Sequence, residues 1–310
     1  MTGSARRTST TGRRGSGKCC SRYGHPSGTI PGMSKVSERQ YTGPADLRAM
    51  QSLAERIWSP ASHCHIGDLA WQRFEHVGRE LSWRTRLWEA CGQVVAWGWA
   101  DGGHLSLLVD PAWPELAGSV LDWAAPSEVM VLDGEKHVIT ALEQRGYRLT
   151  PDAPFHHYMS RSLGDLPSPV LPDGFVARPA DDVARRVEVH RAAWHPSRVT
   201  VESYRNVMAA WPYRSSLDWA VEAPDGRFAA YCLIWLDFVN AVAELEPVGT
   251  DPAFRGMGLA TAVCLAAMLA ASQAGAKQAI VYPVDGYPAV ELYRGLGFAS
   301  YARTFTYRRP

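Results

Sequence analysis

The sequence predicts an α/β (α+β) protein in which one mixed, mostly antiparallel fold is used twice in tandem. Three observations carry this. First, short segments recur in the same order at nearly constant spacing: "GPAD" at 43–46 with "RPAD" at 178–181, Trp58-Ser-Pro60 with Trp194-His-Pro196, "WEACGQVVAW" at 88–97 with "VEAPDGRFAAY" at 221–231, "VDPAW" at 109–113 with "TDPAF" at 250–254, and "LEQRGY" at 142–147 with "YRGLGF" at 293–298. Ordered self-similarity at a fixed period marks a repeated structural unit. Second, the proline-rich run "LGDLPSPVLPDG" at 163–174 has the composition of a semi-rigid linker and separates the two sets. Third, each set reads as a helix after its Pro-Ala-Asp start, an irregular helical stretch, and then strands.

Taken in order, residues 1–40 are rich in Ser, Thr, Gly and Arg, bury too little apolar surface to order themselves, and are expected to be a disordered tail; Met33 offers an alternative start. Within this tail "GRRGSGKC" at 12–19 nearly spells a phosphate-binding loop, but Cys19 stands where Ser or Thr belongs and no strand or helix pattern flanks it. Residues 41–162 form the first unit and 175–310 the second. In the second unit the patterns predict a helix over 181–193, strands over 219–222, 228–236 and 241–250, and a helix over 259–274 closed by Gly275. A strand over 278–283, a helix over 288–296 closed by Gly297 and a strand over 302–307 complete it.

Hydrophobic residues make up 46% and charged residues 20% of the chain, and 32 Lys+Arg against 31 Asp+Glu leave a formal charge of +1. Without a basic excess nothing calls for nucleic acid, and without a long apolar run nothing calls for a membrane, so a small-molecule partner and a cytoplasmic location are expected. Cys19, Cys20, Cys64, Cys91, Cys232 and Cys264 lack the paired spacing of a metal site and read as reduced thiols.

Chemistry concentrates in "EPVGTDPAFRGMGLAT" at 246–261. A strand runs into an Arg-Gly-Met-Gly corner that opens an Ala-rich helix, and such a corner presents backbone amides and the positive end of a helix dipole to an anion. Gly256 and Gly258 allow a phosphate to approach without a Cβ, and Arg255 adds charge at the rim. The segment resembles the acyl-CoA-binding motif of the GNAT superfamily of N-acyltransferases, whose R/Q-x-x-G-x-G/A pattern is met at Arg255, Gly258 and Ala260. "PAVELYRGLGF" at 288–298 is similar to that family's A-x-x-L-Y-x-x-x-G-F element. The resemblance implies two tandem GNAT-like domains and acetyl-CoA or another acyl-CoA as co-substrate. It further implies that strand backbone at Val248, Gly249 and Thr250 binds the pantetheine arm, that the amides of Arg255, Gly256, Met257, Gly258, Leu259, Ala260 and Thr261 hold the pyrophosphate, and that Tyr293 protonates the leaving thiolate. One departure is Gly286, which stands where the family often has an asparagine.

The attacking amine needs a base. Alternation on the strand sends Glu244 and Glu246 to one face. Glu244 matches the position at which some GNAT enzymes keep a catalytic glutamate, Glu246 lies nearer the thioester, and Glu246 is preferred. His195, which the first unit replaces with Ser59, is a third candidate, for catalysis or acceptor binding. In the first unit Pro114-Glu-Leu-Ala117 occupies the place of the Arg-Gly-Met-Gly corner and Leu142 that of Tyr293, so a degenerate copy without acyl-CoA chemistry is expected there. Its tryptophans belong mostly to the core, some of them to an acceptor cleft between the units. The expected activity is acyl transfer, acetyl or longer, to a primary amine of a small molecule such as an amino sugar or secondary metabolite, in antibiotic biosynthesis or modification, by a metal-free monomer or homodimer. A non-catalytic CoA-binding scaffold and a protein or peptide N-acetyltransferase stay open as alternatives.

Overall fold

The computed structural model describes residues 36–79 and 82–310. The phosphate-loop lookalike at 12–19 and most of the expected tail lie outside the described residues. The last residues of the expected tail are ordered, however. Ser37–Gln40 forms β1, with Ser37 opposite Glu89 and Gln40 opposite Arg86. Its polar sequence carries no alternating pattern, and the ladder to the next strand orders it together with Arg39, which pairs with Asp46 at 2.6 Å and Glu89 at 2.9 Å.

From β1 the first unit continues through α1 (Pro44–Ile57), α2 (Ile66–Phe74), β2 (Arg84–Ala90), β3 (Gln93–Asp101), β4 (His104–Val109), α3 (Leu116–Ala124), β5 (Glu128–Leu132), α4 (Lys136–Gln144), the two-residue β6 (Arg148–Leu149) and β7 (His157–Ser162). The second follows with β8 (Val176–Pro179), α5 (Val183–Ala193), α6 (Val201–Ala209), β9 (Asp218–Glu222), β10 (Phe228–Asp237), β11 (Val242–Thr250), α7 (Leu259–Gln273), β12 (Gln278–Val281), α8 (Pro288–Gly295) and β13 (Ala299–Arg308). Apart from β6 the same succession of strands and helices occurs twice. The elements expected from 181 to 310 form within a few residues of their expected ends. Among the described residues no helix is long and apolar enough to cross a membrane.

All the strands join one sheet in the order β1-β2-β3-β4-β5-β13-β7-β12-β11-β10-β9-β8, with β6 beside β13. The last strand of each unit is therefore bonded into the other. Strand β7 pairs with β12 (Met159 opposite Val281), and β13 pairs with β5 (Phe305 opposite Val131). Among the described residues only β4–β5 and β11–β12 run parallel, as expected where a helix crosses over between neighbouring strands.

Strand β10 is buried along its whole length, which explains its unbroken apolar sequence. The Ala-rich α7 covers one face through Val263, Ala267, Met268 and Ala271 in the main core of the second unit. On the other side α2 of the first unit packs with α5 and α6 around Trp71, Val187, Tyr204 and Trp235. Small size is required of Gly67 at that seam, because a Cβ there would meet the Trp235 ring at 2.2 Å.

Candidate active site

The site begins where two strands part. Parallel pairing of β11 with β12 covers only Val242, Ala243 and Glu244, so the backbone edge of β11 from Leu245 to Thr250 is free of β12 and opens a wedge in the sheet. On its other edge β11 stays bonded to β10 through Val248, Gly249 and Thr250, after an irregularity that sets Cys232 opposite Val248 but Ile234 opposite Leu245. That irregularity falls at Glu246-Pro247, where a bulge re-aims side chains. The Glu246 carbonyl accepts a 2.6 Å hydrogen bond from the Trp235 indole. Gly249 is small for packing reasons, because a Cβ there would meet the Tyr231 ring at 2.7 Å and Ala193 at 2.8 Å.

At the end of β11 the Asp251 carboxylate accepts from the Ala253 amide at 2.9 Å and fixes a 3-10 turn over Pro252–Phe254. The corner follows. Gly256 and Gly258 have φ of 79° and 78°, a left-handed conformation that side chains other than glycine adopt at a cost, and neither has an atom near the position of a Cβ. Helix α7 then starts, and its first amide with an intrahelical bond is Ala262, donating to the Gly258 carbonyl at 3.1 Å. The amides from Gly256 to Thr261 precede that bond, and Arg255 through Gly258 are solvent-exposed while Leu259 turns into the core. The residues present thus form an open corner of exposed backbone amides at a helix start, a type of feature that can hold an anion.

Tyr293 lies on α8 with its ring edge-on to Phe298 at 5.6 Å and is nearly buried. Burial, followed by the neighbouring Cys264, Cys232 and Glu246, raises its pKa well above the usual tyrosine value. Such a group is protonated at neutral pH and can act as a hydrogen-bond donor. Asp285, next to the departing Gly286, is bonded to His157 at 2.8 Å.

Two cavities meet at Glu246. One of about 300 Å³ is lined by His63, Asp68, Gln72, Tyr158, Tyr282 and Thr304, together with Glu246. The other, of about 440 Å³, is lined by Trp71, Glu75, His190, Trp194 and Arg198, and shares Asp68, Gln72 and Glu246 with the first. The first unit therefore supplies much of the cleft wall, with Trp71 and Trp97 among its tryptophans there. Glu246 is half-buried, and its pKa is pushed up to about 8 by burial and by the charges of Asp68 and Glu75. Glu244 is fully buried one pleat earlier, 2.9 Å from His65, and does not line either cavity.

His195 stands on an exposed turn between Trp194 and Pro196; those two line the second cavity and His195 does not. The wall there is held from behind. Trp194 donates its indole N–H to the Tyr231 hydroxyl at 2.8 Å, and that hydroxyl is 2.7 Å from His190 Nδ1. Burial and the Arg186 guanidinium push the His190 pKa down to about 3, so His190 is neutral and accepts a hydrogen bond from the Tyr231 hydroxyl. Arg186 in turn is buried against Asp218 at 2.9 Å.

Sequence reading missed Asp68, His65 and Gln72. They sit in "HCHIGDLAWQ", an ordinary amphipathic start of α2, and nothing local distinguishes a core-facing position from one facing a cleft that forms only when the other unit is present.

Residues 185–298 match the acetyltransferase (GNAT) family. Mycothiol acetyltransferases of Kineococcus radiotolerans and Nocardia farcinica are 35% and 32% identical to this chain over 156 and 166 residues, covering 48% and 46% of it and 50% and 51% of those proteins. The chain thus spans about half the length of the curated relatives it matches. Solved structures similar in fold include a GCN5-related N-acetyltransferase from Sphaerobacter thermophilus (TM-score 0.57, 19% identity, 89% of this chain and 96% of that one). Another is a tandem GNAT protein from the clavulanic acid biosynthesis pathway (TM-score 0.56, 14% identity, 88% and 98%). The parted strands, the glycine corner and the twofold succession of elements are in keeping with the acetyltransferase (GNAT) family match at residues 185–298, and the fold is shared with those solved structures.

Proposed function

We propose that the protein transfers an acetyl or longer acyl group from acyl-CoA to a primary amine of a small molecule, with residues 175–310 binding the donor and the 41–162 unit walling the acceptor. One observation carries the reading: the free edge of β11 that leads to the glycine corner begins beside Glu246, and both cavities of the cleft are lined by Glu246. The corner amides hold the donor's pyrophosphate, and the free strand edge at Val248–Thr250 orients its pantetheine arm. An amine held in the cleft gives its proton to Glu246 as nitrogen attacks the thioester carbonyl. The C–N bond forms, the C–S bond breaks, and the Tyr293 hydroxyl delivers a proton to the departing sulfur. A base with a pKa near 8 suits this step at mildly alkaline pH. The similarity to mycothiol acetyltransferases over half of the chain, and a cleft of a few hundred cubic ångströms, favour a small-molecule amine over a protein acceptor.

Thiol release from acetyl-CoA, measured against a panel of amino sugars, aminoacyl conjugates and peptide amines, tests the proposal. Acceptor-dependent release with a small amine is expected. Tight acetyl-CoA binding without release on any acceptor would mark a scaffold instead, and release with peptides alone would mark a protein acetyltransferase.

A further inference from the structure

The contact between His65 and Glu244 joins the two units across the seam, and its hydrogen-bonding geometry fixes where its protons lie. His65 is the N-cap of α2, and its Nδ1 accepts the Gly67 backbone N–H at 3.1 Å. A ring nitrogen that receives an N–H presents a lone pair, so the imidazole is the neutral tautomer with its proton on Nε2. The positive end of α2 reinforces this by disfavouring an imidazolium at its first position. The same Nδ1 lies 2.9 Å from Glu244 Oε2. A carboxylate oxygen facing the Nδ1 lone pair at that distance is repelled, whereas a carboxylic acid O–H that shares this one lone pair with the Gly67 N–H is attracted.

The other side of Glu244 agrees. Its Oε1 is buried with no N–H or hydroxyl donor, an arrangement costly for an anion and tolerable for the carbonyl oxygen of an acid. Groups facing the pair from the surrounding elements do not supply a cation. Cys64 and Asp68 belong to the α2 side, Glu246 to β11, Tyr282 to the end of β12, Tyr301 to β13, and Asp237 at the end of β10 faces His65.

We infer that Glu244 is a neutral acid at working pH, donating its proton to Nδ1 of a neutral His65. The two are positioning residues that pin β11 to the first unit and leave Glu246 as the carboxyl that meets the acceptor. The kinetic part of this inference rests on the transferase reading above; the protonation state does not. Burial and Glu246 push the Glu244 pKa up to about 8, far above its unfolded value, so the contact's stabilisation is complete below the unfolded pKa and is lost as pH rises through about 8.

Imidazole 15N spectra of the whole protein, with His65 assigned from the loss of its signals in H65N, test the state directly. An Nε2–H neutral signature that does not titrate from about pH 5.5 to 8 is expected; an imidazolium signature at pH 6–7 would overturn the inference. Asparagine places Oδ1 near the former Nδ1 and can accept from both Gly67 and Glu244, so H65N should recover most of the thermal stability lost in H65A. Equal losses in the two would also overturn it. In kinetics, E244Q should keep kcat/KM within about tenfold and retain the ionisation near pH 8, whereas loss of more than about 100-fold together with that ionisation would make Glu244 the base. Absence of turnover in the unmodified protein would defeat the transferase reading and leave the spectroscopic result to decide the protonation state.

Discussion

The two strand-to-helix corners differ in how far each is satisfied by its own chain. At Arg255–Leu259 the backbone enters left-handed conformations at Gly256 and Gly258, the amides face solvent, and nothing lies above the glycines. At the matching corner of the first unit, Leu116 and Ala117 already donate to the carbonyls of Trp113 (3.0 Å) and Pro114 (3.3 Å), and Glu115 caps α3 in a right-handed conformation. One turn further on, the open side of Gly118 is filled by Arg145, whose guanidinium would lie 2.4 Å from a Cβ there and is held by two 2.7 Å bonds to Asp122. The first corner is therefore closed by its own chain, and the second is left open to solvent. The strands leading to them differ likewise. Counting back from Asp110 and Asp251, Leu105 stands where Glu246 does and Gly103 where Glu244 does. Leu105 and Glu246 line the same cavity, so the corresponding positions of the two units face each other across the cleft.

The sharpest test of this asymmetry is E246Q, which should lower kcat about 100- to 10,000-fold while acetyl-CoA affinity, measured by calorimetry, stays within about twofold. In the unmodified protein kcat/KM should climb with pH through about 8 as Glu246 gives up its proton, and E246Q should flatten that climb. Next in size, writing the first corner into the second (R255P/G256E/M257L/G258A) should weaken acetyl-CoA binding by about 100-fold, because a carboxylate and spent amides replace an anion cradle. The single change Gly258→Ala separates conformation from charge. It should cost about 1 kcal/mol of stability for the left-handed backbone, read from the denaturation midpoint, and weaken binding only several-fold. The smallest effect is expected of the reverse exchange (P114R/E115G/L116M/A117G), since Arg145 still closes the site; binding stoichiometry should remain one, and a second acetyl-CoA would break the comparison.

How much of this was legible in advance differs by element. Strand β11, the glycine corner and α7 follow from local chemistry: an apolar run, two glycines where left-handed turns are needed, and an Ala-rich helix former closed near Gly275. The repeat was legible because both units kept their turn residues. Strand β1 was not, since an edge strand without alternation is ordered only by the ladder it joins. His195 was singled out because it differs between the copies, yet it is not among the residues lining the cleft that its neighbours Trp194 and Pro196 line.

By itself the sequence determined the succession of elements, the corner that fits an anion and the loss of that corner in the first unit, because each depends on residues adjacent in the chain. Tertiary structure decided the exchange of β7 and β13 between the units, the seam where Gly67 lets α2 press on Trp235, and the different environments of two glutamates one pleat apart. Glu244 and Glu246 are equivalent to any pattern of alternation. They separate only because pairing with β12 stops at Glu244, burying it against His65, while β11 beyond that point turns its free edge and Glu246 toward an opening walled by a segment nearly 180 residues away in the chain.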